Sequence, residues 1–350
     1  MEIKKLKIPL VSVIIVNWNG RKFIGQCLDS LSKIDYENIE VLFVDNASTD
    51  NSVLFIKEKY PKVRIFVNKE NLGLGGGHEV ALKNVKGEAV LLLNSDTIIQ
   101  KSLLKNLVKS LYSDKKIGGV QPKLVIYPQV NQIDSIGCFF LPTGNLYHYG
   151  REKDPSLKQY NLRMEIFSTK GACMLIKKEV LDKTGLFDED FFAYYEDTDF
   201  CMRIWLAGYK VIYEPIETVF HRGGATSEKI MQSNILFHSY KNIIFTYIKN
   251  FSPKYLLKIL PITILLYQVV FFGYLLTGKF SSAIAVQKSI LWNLVNLQLI
   301  LKKREYVQKN IRKISDDEYI PKLTKKVHLI YYWYQFFGGM GNYRDEPVIK

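Results

Sequence analysis

The stretch "AVLLLNSDTII", Ala89–Ile99, decides how the first half of the chain folds. Five apolar residues, Ala89 to Leu93, stop at Asn94-Ser95-Asp96, and apolar residues resume at Ile98. A short apolar run of this kind is a strand buried on both faces. Its polar end is open to a plain reading as a turn, because Asn, Ser and Asp bond their own backbone. Three comparable runs precede it: "VSVIIV" (11–16), "IEVLFVD" (39–45) and "VRIFVN" (63–68). Between them lie "KFIGQCLDSLSKI", "NSVLFIKEKY" and "GGHEVALKNV", read as helices, the first with Phe23, Cys27, Leu28 and Leu31 on one side. Strand–helix alternation with short loops predicts an α/β layer fold with a mostly parallel sheet flanked by helices. Ligands in such sheets sit beyond the carboxyl ends of the strands. Those ends carry Asn17, Asp45-Asn46, Asn71-Leu72-Gly73 and Asn94-Ser95-Asp96. A turn explains any one of them; four polar ends along one edge point to a shared ligand site.

Beyond residue 118 the alternation fades, and 118–168 reads as loops and short strands covering that site. "STKGACMLIKKEVL" then predicts a strand and a helix start. "GLFDEDFFAYYEDTDFCMRIWLAGYKVIYEP" predicts a loop, a helix closed by Gly208, and another strand. At 350 residues the chain exceeds one domain of roughly 100–200 residues, so an α/β domain over 1–228 and an appendage over 229–350 are expected. Hydrophobic content of 47% argues against disorder. Cys27, Cys138, Cys173 and Cys201 show no C-x-x-C spacing, which suits buried thiols in a reducing compartment and offers neither a zinc site nor a disulfide framework. A net charge of +14 favours an anionic partner: nucleic acid, a phosphorylated ligand or an acidic membrane surface. "MEIKKLKIPL" is basic, but the apolar run after it is too short for a signal peptide, so the catalytic part is expected in the cytoplasm.

The segments "VSVIIVNWNG", "VDNASTD", "NLGLGGGHEVAL", "LLLNSD", "GACMLIKKEVLDKTGLFDEDFFAYYEDTDFCMRIWLAGYKVIYEP" and "VFHRGG" occur in this order over residues 10–225. As an ordered set they resemble the family-2 glycosyltransferases of GT-A type fold, in particular rhamnosyltransferase-like members. The resemblance implies an inverting transfer from a nucleoside-diphosphate sugar, a UDP- or dTDP-sugar with dTDP-rhamnose among the candidates, to a glycan or lipid-linked acceptor. It makes Asn94-Ser95-Asp96 a variant of the family's D-x-D motif with only the last acid kept, so Asp96 becomes a ligand for Mg²⁺ or Mn²⁺ and His221 of "VFHRGG" completes the shell. Neutral imidazole is a competent metal ligand. Asp45 is implied as acceptor for a nucleobase imide N–H, and Asn17 as a contact to the nucleoside. Asn71, Gly73, Gly76 and Asn94 fall in the same nucleotide-binding segments, where glycines would let backbone N–H groups approach an anion. Many relatives carry Asn-Asn where this chain has His78-Glu79, which sets aside a sugar contact by that pair. The resemblance points to Asp197, with Glu196 beside it, as the general base that takes the acceptor's proton. A helix cap is the alternative for Asp197. Asp199 and Arg203, at i and i+4, form a supporting ion pair.

After residue 228 the chain becomes helical and apolar. "ILPITILLYQVVFFGYLLTG", Ile259–Gly278, has no charged residue and is close to the ~20 residues that cross a bilayer core. "FSSAIAVQKSILWNLVNLQLIL" and the basic run "KKREYVQKNIRK" follow. A membrane hairpin, an interfacial anchor and a soluble helical cap are open readings, and association with the cytoplasmic membrane surface is preferred on hydropathy and charge. The sequence argues against an NAD-dependent oxidoreductase, since the position after the first strand reads "NWNGRKF" rather than G-x-G-x-x-G. A processive polysaccharide synthase would carry Q-x-x-R-W, and here the helix reads "FCMRIWLAG". Basic residues spread along the chain without a recognition motif argue against nucleic acid. A non-catalytic, membrane-associated nucleotide-sugar-binding protein is the remaining alternative.

Overall fold

Val11, Val13 and Ile15 face one side of the first strand and Ile14 and Val16 the other, and both sets are buried in separate hydrophobic clusters. Period-two alternation with both faces covered makes this strand interior to a layered sheet. In the computed structural model, which describes residues 8–223, 231–336, 338–346 and 348, it is one of ten strands in a single sheet. The proposed boundary at residue 228, and Gly224 of "VFHRGG", lie outside the described residues.

The first half alternates as predicted: β1 (Val11–Asn17), α1 (Arg21–Leu31), β2 (Ile39–Asp45), α2 (Ser52–Lys59), β3 (Arg64–Val67), α3 (Gly73–Leu82) and β4 (Ala89–Leu93). The strands β4-β1-β2-β3 pair in parallel. The chain continues through β5 (Thr97–Ile99), α4 (Leu103–Leu111), β6 (Ile117–Ile126), β7 (Ile133–Ser135), β8 (Phe139–Phe140), β9 (Leu146–Tyr147) and β10 (Met164–Glu165). Then come β11 (Cys173–Lys177), α5 (Lys178–Thr184), α6 (Glu196–Leu206) and β12 (Lys210–His221). The main sheet order is β10-β12-β6-β11-β4-β1-β2-β3, with β5 on β12 and β7 on β6. Strand β11 runs antiparallel between β4 and β6.

Two expectations change. The 118–168 stretch is not only loops and short strands, because β6 is ten residues long and central, and its residues through Val125 are buried. Its helix- and strand-breaking residues have local causes. A Cβ on Gly119 would stand 2.2 Å from the Met174 side chain, and Pro122 precedes the register shift at Glu214/Thr218 of β12. The glycine run of 73–77 lies inside the third helix, which starts at Gly73 rather than at Gly76 of "GGHEVALKNV". It forms the first turns of α3, and among those glycines only Gly73 has a positive φ, 69°. A Cβ there would lie 2.1 Å from the Phe192 carbonyl oxygen. Gly73 and Gly75 therefore let α3 pack against the loop before α6, while Gly77 lets it approach Val16 of β1.

The C-terminal part forms α7 (Gln232–Asn250), α8 (Pro253–Leu276), α9 (Phe280–Val295), α10 (Leu297–Tyr306), α11 (Asp316–Leu323) and α12 (Ile330–Phe336). Among the described residues α8 is the one helix that alone is long and apolar enough to cross a membrane; α9 and its bent continuation meet the test as a pair at 65°. The helices are joined to the sheet layer by buried charge. Lys249 lies 2.6 Å from Asp188 and 2.9 Å from Asp199, and Asn250 donates to Asp199 at 2.8 Å. Arg203 completes the predicted ion pair with Asp199 at 2.9 Å.

Candidate active site

The parallel strands deliver their carboxyl ends to one edge, and a cavity of about 480 Å³ opens there. Asn71, Gly73, Asn94, Asp96, Glu196 and His221 all line it. Strand β5 explains why residues 96 and 221 meet. It pairs antiparallel with the end of β12, setting His221 opposite Thr97. That register brings His221 Nε2 within 3.4 Å of Asp96 Oδ1. The other ring nitrogen, Nδ1, lies 2.7 Å from Asp134 Oδ2, and Lys170 Nζ lies 2.5 Å from Asp134 Oδ1.

Burial alone would lower the His221 pKa, but hydrogen bonds to Asp134 and Asp96 outweigh it and raise it to about 9. Burial likewise disfavours the Asp96 carboxylate, yet His221 holds it below its ordinary value. A divalent ion would take the place of the Nε2 proton, and with that proton released the donor set fits one. A carboxylate and an imidazole nitrogen sit side by side, and the far nitrogen of the ring is tied to a second carboxylate, the arrangement that orients metal-ligating histidines. Among the described residues no cluster of three or more His, Cys, Asp or Glu could hold a metal. Asp96 and His221 are the two candidate ligands among the described residues, and phosphate oxygens and water would complete the shell of such an ion.

Other expected residues are distributed differently. Asp45 and Asn17 are buried and do not line the cavity. Asp45 accepts from the Ser48 N–H at 2.8 Å and from Asn17 Nδ2 at 3.2 Å. Gly76 faces Leu72 and does not line the cavity. The backbone N–H groups at the start of α3 are partly engaged: Gly73 donates to Asn71 Oδ1 at 2.9 Å and Leu74 to Phe192 O at 2.8 Å. His78 is buried against Phe187, away from the cavity, which accounts for the departure at that position in packing terms.

Tyr194 and Tyr195 both have φ of 69°, a conformation that costs non-glycine residues and clusters at functional sites. Asn242 of α7 braces this turn, donating to Ala193 O at 3.0 Å and Tyr194 O at 2.6 Å. The turn starts α6 so that two consecutive carboxylates face different spaces. Glu196 lines the first cavity, and its Oε2 has no hydrogen-bond partner among the described residues. Asp197 lines a second cavity of about 280 Å³. Burial, then the Asp197 charge, push Glu196 up to about 8. Burial also raises Asp197, opposed by the Gly171 N–H at 2.9 Å and the Thr198 N–H at 2.6 Å. The first cavity has neither Lys nor Arg among its described lining residues. Asp134, Lys170, and Asn234 and His238 of α7 had no signal in the sequence, because none belongs to a motif and each arrives from a distant element.

A mostly parallel sheet presenting Asp96 and His221 at its strand ends, over a cavity closed by an acidic helix start, is the framework of a GT-A glycosyltransferase. The chain belongs to the glycosyl transferase family 2, which it matches over residues 12–185, and the protein is a glycosyltransferase. It is 24% identical over 262 residues to an N-acetylglucosaminyl-diphospho-decaprenol L-rhamnosyltransferase of Mycobacterium tuberculosis, covering 67% of this chain and 83% of that one. Among solved structures, TarS residues 1–349 of S. aureus with UDP-GlcNAc is 17% identical, covers 90% of both chains and superposes with a TM-score of 0.56. A mannosyltransferase of Pyrobaculum calidifontis, solved with GDP-Man and Mn²⁺, is 20% identical over 86% of this chain and 85% of that one, with a TM-score of 0.51.

Proposed function

We propose that the protein transfers a sugar from a UDP- or dTDP-linked donor, dTDP-rhamnose among the candidates, to a glycan or lipid-linked acceptor by metal-assisted single displacement with inversion. The carrying observation is the Asp96–His221 pair on the wall of a cavity that offers a diphosphate no free cation among its described residues. Mg²⁺ or Mn²⁺ bound there would neutralise the diphosphate and the charge it gains on leaving. Asp96 and His221 Nε2 would hold the ion, and Asp134 would fix the ring through Nδ1. Burial keeps Glu196 largely protonated at neutral pH, so it lines the donor cavity without opposing the phosphates. Asp197 would take the proton of the acceptor hydroxyl as that oxygen bonds the anomeric carbon. The nucleoside diphosphate leaves with the electron pair of the broken C–O bond, and no covalent nucleophile is needed.

Association with the cytoplasmic membrane surface fits a lipid-linked acceptor, the kind named for the mycobacterial relative. The helix α8 favours an in-plane position over a crossing. Its stripe Tyr255, Ile259, Thr263, Tyr267 and Val270 is buried, and Thr263 donates to Thr143 O at 3.1 Å. A helix fastened along that length to a domain rich in charge cannot cross a bilayer without carrying the domain in with it.

The test is a thermal-shift panel of UDP, dTDP, GDP and NAD, each with and without Mn²⁺. Saturation at ~100 times Kd adds about 2.7 kcal/mol, a plain rise in midpoint. The expected result is stabilisation by UDP or dTDP that requires metal and disappears in Asp96→Ala. In Asp197→Asn, nucleotide binding should persist while transfer is lost; wild-type turnover would remove Asp197 from the mechanism.

A further inference from the structure

We propose that the second cavity is the acceptor-sugar site, and that the carboxamides of Asn145 and Gln335 read the hydroxyls of a neutral sugar ring held there. The assignment rests on Asp197 being the base, and extends that reading to the partner substrate.

The cavity lies back to back with the donor cavity. Asp134 lines the second and touches His221 of the first, while Glu196 and Asp197 divide between them. An acceptor in the second space would therefore present its hydroxyl to Asp197 on the side nearest the donor. At about 280 Å³ the space is slightly under the ~300–1,000 Å³ of drug-sized sites, which suits one small ligand or the end of a larger one.

The walls decide the chemistry. Their acids, Asp134 and Asp197, are matched by the cations Lys170 and Arg151, and Lys170 already sits 2.5 Å from Asp134. Burial, followed by the nearby Arg151 and Lys170, pushes His148 down to about 3, so its ring adds no charge. A balanced wall gives no drive to bind an anion, and the ligand that fits is neutral and polar. Two groups wait for such a ligand. Asn145 is 5% exposed, and its Nδ2 has no hydrogen-bond partner among the described residues; neither does the shielded Oε1 of Gln335, a half-buried residue. Buried polar atoms left unpaired are costly, so their presence in a folded cavity calls for a partner.

Both groups are placed by local structure. Asn145 sits in the turn between β8 and β9, where its carbonyl accepts from Leu141 N–H at 2.9 Å. Tyr331 of α12 is pinned to the far side of that hairpin, its hydroxyl donating to Leu146 O at 2.9 Å and accepting from His148 N–H at 3.1 Å. One helical turn later on the same face comes Gln335. The C-terminal segment thus closes the acceptor cavity, and Gln335 is a specificity residue some 138 positions from the base it serves.

The experiment uses the full-length protein with Mn²⁺ and whichever of UDP or dTDP stabilises it. Saturation-transfer NMR then measures binding of the methyl glycosides of N-acetylglucosamine, glucose, galactose and rhamnose. At least one should bind the wild type and weaken about ten-fold or more in both Asn145→Leu and Gln335→Met, the scale of one lost buried hydrogen bond. The nucleotide thermal shift should be unchanged in both variants, which shows that they fold; Gln335→Met keeps the side chain's length and helix propensity. Equal glycoside binding in the variants overturns the assignment. So does a wild type that binds nucleotide but no glycoside, which would leave the cavity to water. Absence of any nucleotide shift in the wild type would instead refute the donor reading.

Discussion

His221 meets a carboxylate at each ring nitrogen, and the two contacts do different work. Asp96 Oδ1 shares the cavity face with Nε2 at 3.4 Å, whereas Asp134 holds Nδ1 at 2.7 Å from behind. Outer carboxylates of this kind usually change metal affinity by about 10–100-fold when removed. Asp134→Ala should therefore raise the Mn²⁺ concentration needed for the nucleotide thermal shift by about that factor, while Asp96→Ala should remove the metal response altogether. A metal titration of the midpoint separates the two. Glu196 makes a second prediction. Its folded pKa, pushed up to about 8, stands above its ordinary 4.5, so the folded state keeps a proton that the unfolded chain has lost. Stability must then fall as pH rises through that window. Glu196→Gln should flatten the decline between pH 5 and pH 8, measured by urea unfolding at both ends. Asp96 and His221 were legible in the sequence because each lies in a motif at a strand end. Asp134 was not: "QIDSIG" is a lone acid in a stretch with no periodicity, and only the β6–β7 pairing carries it to the site.

Helix α6 depends on contacts at every range. The Asp199–Arg203 pair is visible in sequence because i and i+4 share a helix face. The Lys249 and Asn250 contacts to Asp199 are not, since about fifty residues separate them and only the packing of α7 on α6 joins them. Asp199 is fully buried among these partners. Removing it leaves the buried Arg203 without a carboxylate and Lys249 with Asp188 alone, a loss of up to about 3–5 kcal/mol. Asp199→Ala should lower the thermal midpoint strongly, whereas an unaltered midpoint would show that the cluster contributes nothing to stability. The same contrast of range separates the strands. Those of the first half announced themselves by uninterrupted apolar runs. Strand β6, "IGGVQPKLVI", hid behind a proline and two glycines, of which Gly118 makes room for Tyr209 and for Ile204 of α6, and Gly119 for Met174 of β11. Glycines of α3 answer to close packing in the same way: a Cβ on Gly73 would meet the Phe192 carbonyl, and one on Gly75 the carbonyls of Asp188 and Phe191.

At the scale of the whole molecule, hydropathy exposed the apolar character of 259–278 but could not choose among a span, an interfacial helix and a core helix. That choice depends on which side of the helix the rest of the protein covers. The stripe opposite the buried one carries Leu257, Leu265, Val269, Phe272 and Leu276, with Leu265 66% and Leu276 89% exposed. Helix α9 adds exposed Phe280, Ile284, Leu291 and Leu294. So broad an apolar face is a membrane or partner surface, and the lysines near it, Lys254, Lys258, Lys279 and Lys288, suit anionic lipid. In-plane binding of this kind joins buried apolar area to charge attraction, so the two should separate experimentally. The protein should sediment with anionic liposomes, and salt alone should weaken but not abolish binding. Leu265→Asp combined with Phe272→Asp should release it at every salt concentration while the nucleotide thermal shift survives, because neither residue touches the cavities. Binding that persists in the double variant would place the membrane contact elsewhere on the chain.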